Sequence, residues 1–418
     1  MKASFTISQR PVYTKTCFAA MSDHLNSESI RFGFTGDVMI ARAIDAILPT
    51  KVDGTLHESY IKHADEYVRL AEQQSGPFDQ DEIIEKGYNY IWGDLIEELR
   101  NMPDYLVVNL ETSLTTSEDW DQGKGIHYRA HPKNEVLEEI GVRVATLANN
   151  HVLDWGIGGL KETLKTLNEA GIKYAGAGYT EKEARACTSE IVSEEMLRTG
   201  KATDQDLNVR VLAVGFPSAG VPSHWIASND KPGINVAEAT NIATATHIMN
   251  DIKRYDTSHK AEKHINIISL HWGPNWGWGI SDEWRAFAHK LIDEGAHIVV
   301  GHSSHHVKGI EIYKGKMIAY GMGDFLNDYE GIVGQGYDIY RDDLTCLYLP
   351  SVDSLSGDMI DLLMVPCKIK KLQVSRATDP EDIEWLRSAI NREGALLGTS
   401  CELCKYSGRT YLRLRWNY

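Results

Sequence analysis

The sequence predicts an α/β protein, and three observations support that fold class. Short apolar runs typical of buried strands recur along the chain, and stretches with helical spacing separate them. Most of these runs end in loops that carry acidic, amide or imidazole side chains. The 418 residues, with a hydrophobic fraction of 42%, suffice for a large core without disulfides or a structural metal.

The individual elements follow from local patterns of apolar residues and helix boundaries. The expected strands are residues 30–34, 105–108, 142–147, 209–216, 265–270, 298–300 and 359–365. Residues 160–170 have helical spacing, and Gly171 ends that pattern. A second helix is expected over 379–391, because Asp379 can cap it and Pro380 suits its first position.

The chain is expected to form one main domain with an N-terminal extension. We predict a flexible extension over 1–29, a core over 30–345, and strands and a helix over 346–418 that complete or flank the same domain. The extension lacks the long apolar run of a signal peptide, and Met21 offers an alternative start. The charged stretch 181–208 is expected to be a surface excursion. We predict a cytoplasmic protein.

Composition excludes several classes of partner. With 43 basic and 59 acidic residues, the net charge of −16 argues against sequence-independent binding to nucleic acid or anionic membranes. No apolar run approaches the roughly 20 residues of a membrane span. An anionic substrate stays compatible, because a metal ion inverts the local charge. Cys401 and Cys404 form a lone CxxC, for which a structural role is favoured over a redox or metal-binding role.

Potential metal ligands follow several of the predicted strands. Because ligands bind at the carboxyl edge of open α/β sheets, we expect these side chains to converge there. The candidate ligands are Asp37, Glu111, Asn150, His271, His302 and His305. A two-metal hydrolytic site needs a bridging carboxylate and nitrogen and oxygen ligands around cations about 4 Å apart. These donors suit two Mn, Fe or Zn ions. The alternative is that these polar side chains cap the strand ends in solvent. It explains any one of the residues better than it explains the whole set.

Further residues are candidates for proton transfer and substrate binding. His151, with Asp154 to orient it, is a candidate general acid, and a core histidine is the alternative. Trp272 begins a loop rich in tryptophan and glycine that can wall a cleft or simply pack on the surface. Arg42 and Arg129 can bind anionic groups of a substrate, or can serve as ordinary ion-pair partners.

Six segments occur in the order of a known family. They are residues 35–42, 108–111, 147–156, 271–273, 301–305 and 320–325, and the LANNHVLDWG sequence of 147–156 is the most specific. Together they resemble the bacterial CapA-type (capsule or poly-γ-glutamate synthesis) proteins, a branch similar to the calcineurin-like metallophosphoesterases. The resemblance covers about residues 30–330. It implies a four-layer α/β/β/α sandwich, the calcineurin-like metallophosphoesterase fold, with a dinuclear metal site.

The resemblance also implies roles for the candidate residues. It distributes the metal ligands as follows: Asp37 and His305 on the first metal, Asn150, His271 and His302 on the second, and Glu111 as the bridge. His151 would be the acid, with Asp154 behind it. The implied activity is hydrolysis of an anionic small molecule or polymer by water activated between two metals. The resemblance links this activity to capsule-type polymer synthesis and implies a biosynthetic complex as partner.

The chain departs from the family pattern at several positions. Met39 stands where the wider superfamily has a histidine ligand, and Glu111 stands for the bridging aspartate. Ser303 and Ser304 replace a histidine and a proline, and Asp324 replaces an asparagine. Two functions therefore stay open. Met39 favours a non-catalytic accessory or polymer-binding protein, whereas the His151 and Asp154 pair favours a hydrolase.

Overall fold

The computed structural model describes residues 29–192, 207–255, 263–332, 334 and 336–417. Its strands are β1 (Ser29–Val38), β2 (Tyr105–Leu110), β3 (Ser113–Leu114), β4 (Arg129–Ala130), β5 (Val144–Thr146), β6 (Lys173–Ala175), β7 (Ala177–Gly178), β8 (Thr188–Val192), β9 (Leu207–Gly215), β10 (Gly233–Ile234), β11 (Lys263–His271), β12 (Ile298–His302), β13 (Ile310–Tyr313), β14 (Lys316–Ala319), β15 (Asp324–Leu326), β16 (Leu344–Asp353), β17 (Met359–Lys370), β18 (Gln373–Arg376), β19 (Thr399–Tyr406) and β20 (Arg409–Trp416). Its α-helices are α1 (Ala43–Ile47), α2 (Ala64–Ser75), α3 (Gln80–Lys86), α4 (Ile96–Asn101), α5 (Val136–Glu139), α6 (Gly156–Glu169), α7 (Glu181–Arg185), α8 (Ile242–Tyr255), α9 (Asp282–Asp293) and α10 (Pro380–Gly394). The predicted N-terminal extension, with Met21, lies outside these residues except for Ser29.

The larger sheet contains both the first and the last strands of the described residues. Its strands lie in the order β19-β20-β17-β16-β1-β2-β5-β6, with β15 paired to β1 and β18 paired to β17. β1, β2, β5 and β6 are parallel neighbours, whereas β16 is antiparallel to β1, with Phe34 opposite Tyr348. The C-terminal strands therefore extend the sheet that β1 begins.

The second sheet has the order β13-β14-β12-β11-β9-β8. β9, β11, β12 and β14 are parallel neighbours, and β8 runs antiparallel to β9 at one edge. The prediction that 181–208 is a surface excursion was therefore wrong for its first part, which forms α7 and β8. The polar sequence of β8 reflects its edge position, where the side chains are only partly buried. Residues 193–206 of that stretch lie outside the described residues.

Buried apolar residues form separate cores on the faces of the two sheets. One core combines residues of both sheets, such as Phe32 and Val107 of the first with Ile267 and Val300 of the second. In another, Leu160 of α6 joins residues of β2. A third core places α8 and α9 with residues of β9, β11 and β12. Helices and sheets thus share several cores, which confirms the predicted α/β class.

Most predicted elements lie close to their observed bounds. The strand expected over 142–147 is shorter in the structure, as β5, and α6 begins at Gly156 rather than at residue 160. Asp379 caps α10 as expected, since its side chain accepts a hydrogen bond of 2.9 Å from the backbone N–H of Glu381. Within the described residues, no helix combines the length and apolarity needed to span a bilayer.

The CxxC pair lies on a strand, and this decides between its interpretations. Cys401 and Cys404 are three residues apart on β19, so their side chains point to opposite faces of the sheet. Cys401 belongs to the core shared by both sheets, whereas Cys404 packs against the core that contains α6. The two thiols cannot converge on one metal or form a disulfide with each other, which leaves the structural role.

Candidate metal centre

Four of the predicted ligands lie at the ends of two pairs of parallel strands, one pair in each sheet. His271 and His302 are the last residues of the neighbouring strands β11 and β12 and lie opposite each other. Asp37 is the penultimate residue of β1, and Glu111 directly follows β2. Each pair of parallel strands ends at one edge of its own sheet, and the contact between Asp37 and His302 brings the two edges together.

Asp37 contacts three polar neighbours at the end of β1. Its Oδ1 accepts a hydrogen bond of 2.8 Å from Asn109 and lies 2.7 Å from His302 Nδ1, and its Oδ2 accepts 3.0 Å from the Ser303 N–H. We call Asp37, Asn109 and His302 the Asp37 cluster. Burial alone would raise the pKa of Asp37, but the hydrogen bond and charge of His302 bring it to about 2.

Glu111 and His271 complete a group of three buried donors with Asp37. One ligand atom from each lies within 4.8 Å of the others. His271 Nε2 is 2.9 Å from Asn150 Oδ1, and His271 Nδ1 is a buried nitrogen without a hydrogen-bond partner. Burial and the charge of Asp37 raise the pKa of Glu111 well above its ordinary value, and burial lowers that of His271 to about 3. These oxygen and nitrogen donors fit a divalent transition metal.

A second aspartate lies beside the first, and the sequence did not single it out as a ligand. β15 pairs with β1 in parallel so that Asp324 lies opposite Asp37. His305 Nδ1 is 2.9 and 3.1 Å from the two oxygens of Asp324, and Asn327 donates a hydrogen bond of 2.8 Å to Oδ2. We call Asp324, His305 and Asn327 the Asp324 cluster. His305 thus contacts Asp324, and the charge of Asp37 also acts on its ring.

His151 and Asp154 form a buried pair next to the three donors. His151 Nδ1 is 2.6 Å from Asp154 Oδ2, and His151 Nε2 is 4.0 Å from Glu111 Oε1. Tyr128 stacks on the His151 ring at 3.9 Å between centroids and donates its backbone N–H to Asp154 at 2.7 Å. Lys124 forms an ion pair with the other oxygen of Asp154 and donates to the Asn150 carbonyl. Neither contact was predicted from the sequence.

The electrostatics of this pair leave His151 neutral. Burial and the charges of Lys124 and Arg42 lower the pKa of His151 well below its ordinary value. Burial raises the pKa of Asp154 to about 6. The neutral ring therefore donates Nδ1–H to Asp154 and presents the lone pair of Nε2 on the side of Glu111. To act as an acid, His151 must first take up a proton at Nε2.

The two arginines predicted to contact substrate are engaged within the protein. Arg42 is buried and forms ion pairs with Asp328 and Glu58. Arg129 donates a hydrogen bond of 2.7 Å to Glu118 and stacks on Trp155, 3.8 Å from the ring centroid. Both arginines therefore have the role of ordinary ion-pair partners, which the sequence left as the alternative to substrate binding.

The predicted tryptophan loop divides into a buried and a partly exposed portion. Trp272 is 1% exposed, stacks on Trp284 and belongs to the core that contains α8 and α9. Its side chain is therefore buried and does not wall a cleft, contrary to the prediction that it contacts substrate. Its size and its position directly after β11 favour burial. Trp276 is partly exposed instead, lies 5.4 Å from the His305 ring and stacks on Tyr337 at 4.7 Å. Trp276 therefore borders the Asp324 cluster.

Comparison with known proteins identifies the family. The family model described as bacterial capsule synthesis protein PGA_cap matches residues 31–329. The chain belongs to the PGA_cap family. The Asp37 and Asp324 clusters and the His151 pair all lie within the matched segment.

Curated members of this group carry names linked to polymer synthesis. The chain is 38% identical, over 85% of its own length and 89% of the relative, to a protein of Mycobacterium tuberculosis named "Probable polyglutamine synthesis accessory protein". It is 26% identical over 73% of its length to the capsule biosynthesis protein CapA of Bacillus anthracis, covering 61% of that protein. It is 27% identical over 63% of its length to the PGA biosynthesis protein CapA of Bacillus subtilis, covering 62%. The family and its capsule and polyglutamate names thus agree with the resemblance.

Proposed function

We propose that this PGA_cap protein is a metal-dependent hydrolase. The observation that supports this function best is the group of Asp37, Glu111 and His271, whose ligand atoms lie within 4.8 Å of one another. A histidine oriented by a carboxylate lies 4.0 Å from the same Glu111. A buried metal-type donor group next to an oriented imidazole is the arrangement that hydrolysis needs. We further propose the four-layer α/β/β/α arrangement of the calcineurin-like metallophosphoesterases for this chain.

The residues that would hold divalent metal are those at the strand ends. They are Asp37, Glu111, Asn150, His271, His302 and His305. A bound cation of the Mn, Fe or Zn type would supply Lewis-acid stabilisation of the negative charge that develops on a substrate. Without a cation, the buried carboxylates of the site repel one another. Burial and this repulsion both raise the pKa of Glu111.

The protein's own contribution to the reaction is proton transfer and orientation. Asp154 accepts the Nδ1–H of His151 and thereby selects the tautomer whose Nε2 is free. Tyr128 stacks on the ring and limits its rotation, and Lys124 balances the charge of Asp154. A proton taken up at Nε2 can then be delivered to a leaving group, which is the role of a general acid.

The substrate we propose is an anionic phosphoryl or carboxyl compound of capsule-type polymer synthesis, as the names of the relatives suggest. The second candidate function is a non-catalytic accessory protein in a biosynthetic complex. Its support is the word "accessory" in the name of the 38% identical relative, together with Met39, a poor ligand for these metals. An oriented His151 is not needed by a protein that only binds, so we favour the hydrolase.

Metal content and turnover test the two functions. The purified chain should contain tightly bound divalent metal, measured by elemental analysis. The metal-loaded protein should cleave a generic phosphodiester such as bis-nitrophenyl phosphate, and chelation should abolish the cleavage. A metal-loaded protein that turns over no phosphodiester, phosphomonoester, ester or amide substrate would establish the accessory function instead.

A further inference from the structure

Tyr128 and Tyr329 connect two histidines of the candidate metal centre. The ring of Tyr128 stacks on that of His151, with 3.9 Å between the centroids. The ring of Tyr329 meets that of His305 edge-on, with 5.4 Å between the centroids. The hydroxyls of Tyr128 and Tyr329 lie 3.0 Å apart, at hydrogen-bond distance, and we call them the hydroxyl pair. The two tyrosines therefore link His151 to His305 through side-chain contacts.

The backbones of both tyrosines are also fixed at the centre. The N–H of Tyr128 donates a hydrogen bond to Asp154, the carboxylate that contacts His151. The N–H of Tyr329 donates a hydrogen bond of 3.2 Å to the side-chain oxygen of Asn327. Side chains held in this way are already ordered before a ligand arrives, which lowers the entropic cost of binding it.

The hydroxyl pair has one more hydrogen than its own hydrogen bond uses. Burial raises the pKa of both tyrosines above the ordinary value of about 10, which favours their protonated forms. A single bond between two hydroxyls uses one of the two hydrogens. Neither hydroxyl has a further hydrogen-bond partner within the part of the chain that the structure describes. Met39 and Ala41, which pack with the two rings, are apolar. One O–H group is therefore left over.

The surroundings of the hydroxyl pair place the remaining O–H group on Tyr329. Tyr128 is only 3% exposed, whereas Tyr329 is partly exposed. The charge of Glu111 acts on both tyrosines, so the pair lies close to the carboxylates of the centre. The guanidinium of Arg42 lies 4.9 Å from the ring of Tyr128 and 5.9 Å from that of Tyr329. Its positive charge opposes the effect of burial on both hydroxyls and makes them better donors.

We infer that Tyr128 donates its hydroxyl hydrogen to Tyr329, and that the O–H of Tyr329 donates to an anionic oxygen of the substrate. The inference rests on the proposed function, because it takes substrate to bind at the group of Asp37, Glu111 and His271. The ligand chemistry is that of an oxyanion, a phosphoryl or carboxyl oxygen. A fixed donor at such an oxygen stabilises the negative charge that grows there during hydrolysis. Tyr329 is then a residue that touches substrate, and Tyr128 is a positioning residue.

Tyr329→Phe is the decisive variant because it removes the hydroxyl and keeps the ring. The metal-loaded chain is titrated by calorimetry with inorganic phosphate, for a phosphoryl oxygen, and with acetate, for a carboxyl oxygen. The affinity for at least one probe should fall about tenfold or more, since hydrogen bonds to charged groups are strong. The probe that responds identifies the class of oxyanion. The metal content should not change, and kcat for a substrate that the wild type cleaves should fall about 10²-fold.

Tyr88→Phe is the matched control. Tyr88 is also partly buried, and its hydroxyl lies 2.8 Å from the hydroxyl of Thr50. The substitution breaks the same kind of hydrogen bond elsewhere, so the anion affinities, metal content and kcat should all stay at the wild-type level. Tyr128→Phe should weaken anion binding less than Tyr329→Phe does, because the O–H of Tyr329 remains but loses the neighbour that orients it.

The outcomes separate this inference from the proposed function. Wild-type affinity for both probes in Tyr329→Phe would overturn the donor role, and so would equal losses in Tyr329→Phe and Tyr88→Phe. Loss of metal from Tyr329→Phe would also overturn it, since the residue would then support the metal centre instead. A wild type that binds phosphate or acetate but cleaves no substrate would overturn only the hydrolase, because the anion titrations would still decide the role of Tyr329.

Discussion

The Asp37 and Asp324 clusters are built from the same three residue types, yet the pKa values of their aspartates are shifted in opposite directions. The pKa of Asp37 lies at about 2, because the contact with His302 and the nearby His271 outweigh the effect of burial. Burial keeps the pKa of Asp324 above its ordinary value, and the charge of Asp37 adds to it. Asp37 also has a third donor in the Ser303 N–H. Charges beyond each cluster therefore add to the effect of its own histidine: His271 lowers the pKa of Asp37, whereas the charge of Asp37 raises that of Asp324.

The largest expected effect follows from removing the charge of Asp37, the aspartate whose pKa is lowered. Asp37→Asn should lower metal affinity by more than about 100-fold and abolish turnover, since this carboxylate belongs to the three-donor group. Elemental analysis and calorimetry measure the loss. Asp45→Asn is a matched control, because Asp45 is also a buried aspartate that accepts from a backbone N–H and an asparagine. Metal retained at wild-type level in Asp37→Asn would contradict the ranking of the two clusters.

The next effect concerns the pair that lies outside both clusters. His151→Ala should leave metal bound, because the ligand that we propose is Asn150 and not His151, and turnover should fall about 10²–10⁴-fold. The loss should shrink for substrates with a nitrophenolate leaving group, which needs no proton. Asp154→Asn should have a milder effect, since Asp154 only orients the ring. Loss of metal in His151→Ala would instead make His151 part of the metal centre.

The shifted pKa values of Asp37 and Glu111 predict that metal binding depends on pH. The lowered pKa of Asp37 favours its ionised form, whereas the raised pKa of Glu111 favours its protonated form, so an incoming cation competes with a proton there. The apparent affinity should therefore rise with pH, by up to about tenfold per unit for each proton released, and fall on acidification. Calorimetry in buffers of different ionisation enthalpy measures the protons. Affinity that is flat between about pH 6 and 8 would show that no proton is displaced.

The smallest effect is expected far from both clusters. Cys404 lies partly buried on β19, with its thiol on the opposite face from that of Cys401. Cys404→Ser should leave the metal content unchanged and alter the free energy of unfolding by less than about 1 kcal/mol. Metal analysis and denaturant titration provide the comparison. A variant that lost metal would show that the CxxC pair takes part in binding.

Much of the centre could be predicted from sequence, because it is encoded locally. Apolar runs predicted the strands, and the polar residues after them predicted the strand ends at which the candidate ligands lie, as His271 and His302 illustrate. The position of Asp324 opposite Asp37 was missed because its strand, β15, has only three residues and carries no periodic signal. The contacts of Lys124 and Tyr128 were missed because they come from a loop with little regular structure.

By itself the sequence determined the α/β class, the family and the set of residue types at the strand ends, since each depends on short, contiguous patterns. Only the tertiary structure decided that Asp324 lies opposite Asp37, that His305 contacts Asp324, and that Trp272 belongs to the core. Strand pairing between distant segments and the burial of whole side chains create these relations. Both depend on the packing of the complete chain, so neither can be read from neighbouring residues.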